Sequence, residues 1–162
     1  MFDLSVKSET PTPRAFDTIV WGGLVAGTLD AVDGVAAFGL KGMNPVQVLQ
    51  YIASGLLGIA SFQGGLKTAG LGALLHYFIA FAVAAAYYAA SLKLPALHAH
   101  PAKWGLTYGV AVYLFMNYLV LPLSAVPKRP FSLPLLLNGL IGHGIFVGVV
   151  IAWFAHRSTT PS

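Results

Sequence analysis

Residues 18–40 read TIVWGGLVAGTLDAVDGVAAFGL. A spanning helix needs about 20 mostly apolar residues at about 1.5 Å of rise each, and this stretch qualifies. Its two carboxylates, Asp30 and Asp33, are the anomaly. An ionised aspartate facing lipid at the bilayer centre costs about 3 kcal/mol or more, so both acids are expected to face protein or a water-filled cavity. The stretch therefore reads as a membrane helix with a polar inner face.

The composition agrees. Of 162 residues, 57% are hydrophobic and 9% charged, against about 25% charged in a soluble domain. With so few charges the chain cannot coat a water-soluble globule. The absence of cysteine excludes disulfides, thiolate catalysis and cysteine-bound metals. The net charge of +4 comes from nine basic residues scattered among the connections. They form no run suited to nucleic acid, and they suit anchoring at the headgroups of a lipid bilayer. No hydrolase, transferase, phosphate-loop or dinucleotide motif is present, so the sequence gives no support to an enzyme.

Working outward from the first stretch, three more segments qualify as spans, giving four at 18–40, 68–91, 102–121 and 132–155. Glycine and proline punctuate them at Gly42, Pro45, Pro95 and Pro122, and Trp21, Trp104 and Trp153 suit interfacial belts. The segment 45–63, PVQVLQYIASGLLGIASFQ, carries Gln47, Gln50, Ser54 and Ser61 near one helical face. That pattern predicts an amphipathic or re-entrant helix. The expected fold is an all-α integral membrane protein, a four-helix bundle plus this one helix. A single transmembrane domain at 17–157 is expected between polar tails at 1–16 and 158–162, the first without the features of a cleaved signal peptide. Four spans put both termini on one side. The basic residues divide five to four in favour of that side, which points to cytoplasmic termini.

Small residues recur at helical spacing as Gly23 and Gly27, Gly105 and Gly109, and Gly144 and Gly148. In lipid, helices associate through close backbone contact at such residues. These faces predict a tight bundle and are also candidates for a homo-oligomer contact.

Depth follows from helix rise when alternate spans run in opposite directions. Measured from the side where the first span exits, Asp30 lies about 15 Å deep and Asp33 about 10 Å. On the same scale His76 lies about 12 Å deep, His143 about 16 Å, Asn138 about 9 Å and Asn117 about 6 Å. The strongly polar intramembrane side chains thus share one half of the bilayer. Tyr87, on the face of His76, and Tyr113, on the face of Asn117, are supporting candidates. Asn138 and His143 are five residues apart, or about 140° around an α-helix. His143 is therefore assigned to the shared site and Asn138 to a neighbouring helix or the amphipathic segment.

The order of these features resembles the bacterial YagU-like inner-membrane proteins. The segments that carry the resemblance are VLQYIASGLLG at 48–58, GLGALLHYFIAF at 70–81, LPLSAVPKRPFSLP at 121–134 and NGLIGHGIFVG at 138–148. The resemblance implies a multi-pass protein of the cell inner membrane and implies no activity.

Three classes of function stay open on the residues alone. Asp30, Asp33, His76 and His143 suit a proton or small-cation site for binding or transport. The same groups suit a structural hydrogen-bond network in an accessory membrane component. His76 and His143, on two helices, also suit axial ligation of a haem.

Overall fold

The computed structural model describes residues 13–159, and every regular element among them is helical. Helix α1 spans Asp17–Gly39, α2 Pro45–Gln63, α3 Gly65–Lys93, α4 Pro101–Leu123 and α5 Leu133–Thr159. All five are long and apolar enough to cross a membrane. The protein is an all-α, multi-span chain. Of the expected tails, residues 1–12 and 160–162 lie outside the described residues. Helix is already present at Ala15 and Phe16 and continues through Thr159, so the described parts of both tails belong largely to the bundle.

Local chemistry sets the boundaries. Gly42, at φ 87°, reverses the chain after α1, a conformation that favours glycine. Asn44 then caps α2, accepting from the Gln47 backbone N–H while the Gln47 side chain accepts from the Asn44 N–H, with Pro45 at the first helical position. At Gly58, φ 60° ends the α-helical part of α2, and a 3-10 turn over Gly58–Gln63 leads back toward α3.

Four helices run the length of the bundle. Gly23 packs against Phe81, and Gly27 against Ala80 and Tyr77, so α1 and α3 are antiparallel. Gly105 meets Val149 and Gly148, and Gly109 meets the His143 carbonyl and Gly144, which brings α4 and α5 together backbone to backbone. The glycine pairs of the sequence thus serve packing within this chain. On the outside, Val32, Leu74, Phe78 and Phe115 present exposed apolar side chains, as lipid-facing helices require.

Helix α2 packs chiefly against α3. Its Gln50 side chain donates to the Gly65 carbonyl at 3.0 Å, Leu49 packs on Gly72, and the Gly55 carbonyl accepts from Ala125 N at 3.0 Å. These contacts hold α2 at the end of the bundle where α1 and α4 finish and α3 and α5 begin. At the opposite end the Arg14 backbone N–H donates to Ser158 Oγ at 2.9 Å, so the two described chain ends meet there.

Candidate functional site

The inward faces of α1, α3 and α5 converge beneath α2. His143 Nδ1 lies 3.3 Å from Asp30 Oδ1, with side chains 24% and 20% exposed respectively. The two atoms are in ion-pair range but out of hydrogen-bond alignment, and among the described residues His143 Nδ1 has no aligned partner. A buried polar atom in that state is costly, so a small rotation that aligns the pair is favoured. His143 also opens a π-helical stretch, His143–Val149. Such wide turns shift the direction in which following side chains project, and they recur at functional sites.

His76 Nε2 donates to the Gly27 carbonyl at 2.7 Å. A carbonyl only accepts, so this nitrogen carries the proton, and in the neutral ring the lone pair is on Nδ1. To ligate a haem through Nε2, His76 would have to give up this bond. Among the described residues no group of three or more His, Cys, Asp or Glu is arranged to hold a metal ion.

Asp33 has a different partner. Asn138 Nδ2 donates to Asp33 Oδ2 at 2.8 Å. Gly142 gives the carboxylate its room, since a Cβ there would fall 2.5 Å from the same oxygen. Asn138 and His143 thus both face α1 but reach different carboxylates. Helix rise predicts a common depth; it does not reveal this division into two pairs.

The supporting candidates separate. The Tyr113 ring packs edge-on to His143, with centroids 5.3 Å apart at 77°. Asn117 Nδ2 donates to the Tyr113 carbonyl of its own helix at 2.9 Å. It steadies the helix rather than joining the acids. Tyr87 lies away from the site, its hydroxyl donating to the Leu97 carbonyl at 2.7 Å. It does share a helical face with His76, but eleven residues of rise, about 16 Å, part them.

Asp30, His76 and His143 line a cavity of about 270 Å³, and Asp33 and Asn138 do not. The remaining wall is mostly apolar and includes Ile79, Val83, Val112, Met116 and Val147. Tyr51, Ile52, Gly55 and Leu56 of α2 roof it. Sequence reasoning missed this roof. The guanidinium of Arg129 stacks 4.0 Å over Tyr51 and 5.0 Å over Phe38, and it donates to Met43 Sδ at 3.0 Å. It thereby latches the loop after α4 onto α1 and α2. The available signal was an arginine in the loop after α4 with aromatic residues at Phe38 and Tyr51, but sequence separation hides such contacts.

No protein-family model, curated protein or solved structure matches this chain.

Proposed function

We propose that the protein is a multi-pass component of the inner membrane that binds and exchanges a proton or small cation at Asp30, with His143 as its partner. The observation that carries this reading is the Asp30–His143 contact at 3.3 Å on a cavity wall. A carboxylate within reach of an imidazole can pass a proton to it without leaving the membrane interior, and the cavity gives the pair access to a ligand. The resemblance to YagU-like proteins supports the inner membrane. The five-to-four division of basic residues supports cytoplasmic termini.

The structural reading has its own support, at the other acid. Asp33 is held by Asn138 at 2.8 Å and does not line the cavity, as befits interhelical hydrogen-bond glue. We assign exchange to Asp30 and architecture to Asp33.

Reconstituted vesicles test the assignment. Under an imposed pH gradient, wild-type protein is expected to collapse the gradient faster than empty vesicles, Asp30→Asn to lose that excess, and Asp33→Asn to keep it. Wild-type vesicles as tight as empty ones, under pH and cation gradients alike, contradict transport.

A further inference from the structure

We infer that the cavity binds a lipophilic cation, an ammonium on an apolar aliphatic or aryl body, which enters from the lipid between α3 and α4. This rests on Asp30 as an exchanging carboxylate and names what competes with its proton.

Charge is the first argument. Among the described residues lining the cavity, Asp30 is the one acid and there is no lysine or arginine. The wall thus brings one carboxylate into an apolar surround, where charge complementarity acts strongly. Hydrogen bonding points the same way. His76 spends its Nε2 proton on Gly27, and His143 turns Nδ1 toward Asp30, so the polar wall chiefly offers acceptors. An ammonium supplies donors and a positive charge. A carboxylate or phosphate head would face Asp30 with neither.

The route is the second argument. A further apolar gap of about 540 Å³ lies between α3 and α4 and shares Ile79, Val83, Val112 and Met116 with the first cavity. Alanines on its two walls, Ala82 and Ala111 among them, leave space where larger side chains would close it. At one end the gap is bounded by the Tyr108 hydroxyl, which donates to the Val83 carbonyl at 2.7 Å. Entry from water at the α2 end meets Tyr51 beneath Arg129 instead. An apolar body therefore fits both the approach and the chamber, and its charged head finds Asp30 at the inner wall.

The groups that bear on Asp30 are His143 of α5, His76 of α3, Tyr51 of α2 and Asp33 of its own helix, with Tyr113 of α4 against His143. Proton and ammonium compete for one carboxylate, so binding weakens as the medium becomes more acidic.

The test uses full-length protein in nanodiscs and three probes of one shape: phenylbutylammonium, phenylbutanol and phenylbutyrate. The ammonium is expected to bind about tenfold or more tightly than the other two, and to lose that margin in Asp30→Asn. A double variant, Ala82→Phe with Ala111→Phe, is expected to slow association. Thermal unfolding of each variant checks that it is folded. Tighter binding of phenylbutyrate, or equal ammonium binding by wild type and folded Asp30→Asn, overturns the inference. Labelling by dicyclohexylcarbodiimide, which attacks protonated carboxyls in apolar sites, separates this from the proton reading. Labelled Asp30 that phenylbutylammonium fails to protect keeps the proton site and sinks the ligand. Asp30-dependent ammonium binding with no labelling at any pH, and no proton displaced on binding, keeps the ligand and sinks the proton site.

Discussion

The two halves of the bundle solve different problems. In the half where the described chain ends meet, Ala84, Tyr87, Ile151, Ala152 and Ala155 are wholly buried, and Gly22 and Gly105 let backbones touch. In the half beneath α2, the same helices carry Asp30, His76 and His143 on a cavity wall and Asp33 bonded to Asn138 beside it. Lipid offers helices no hydrophobic reason to associate, so small-residue contact must hold the bundle. The tight half supplies that contact. The hollow half is thereby free to keep open space beside its polar groups.

The largest expected effect comes from breaking the tight contact itself. Gly105 sits against Val149, the Gly148 carbonyl and Ala152, so Gly105→Val forces α4 and α5 apart. A loss of about 3 kcal/mol or more is expected, read as failure to unfold cooperatively in detergent. Gly34 and Gly70 have no neighbour within 4 Å of an added Cβ. Alanine at either is expected to be neutral or to stabilise by up to about 1 kcal/mol through helix propensity.

A smaller effect is expected at the glue. Asp33→Ala and Asn138→Ala each remove one partner of the 2.8 Å bond. A double-mutant cycle on thermal or denaturant unfolding is expected to give a coupling of about 1 kcal/mol. A coupling indistinguishable from zero would remove Asp33 from the architecture.

The smallest concerns the latch. Arg129→Leu gives up stacking on Tyr51 and Phe38, with an expected cost of about 0.5–1 kcal/mol. Hydrogen exchange is expected to rise over residues 45–63 while the Gly105–Gly148 contact stays protected. Uniform loss of protection would mean that α2 is part of the tight core.

Much of this was legible in the sequence for one reason. Helix rise is constant, so depth follows from counting residues. The expected spans 18–40, 68–91, 102–121 and 132–155 correspond to α1, α3, α4 and α5, with ends differing by up to four residues. Counting also brought Asp30 and His143 to one level. Rotation about the helix axis and lateral spacing are not countable, because they depend on which glycines interlock and where turns widen, as at His143–Val149. Hence the Asn138–Asp33 pair, the His76 bond to Gly27 and the cavity itself were invisible. So was the setting of Tyr87, whose face was legible but whose partner, Leu97, lies beyond the end of its helix.

The contrast between the two aspartates is tested most directly by infrared titration of the protein in lipid, following the protonated-carboxyl band across the pH range in which it stays folded. The account predicts a titrating band that disappears in Asp30→Asn, persists in Asp33→Asn and shifts in His143→Gln, because the imidazole 3.3 Å away is Asp30's partner. A band that survives in Asp30→Asn and vanishes in Asp33→Asn would contradict it, moving the exchanging site from the cavity wall to the Asn138 contact.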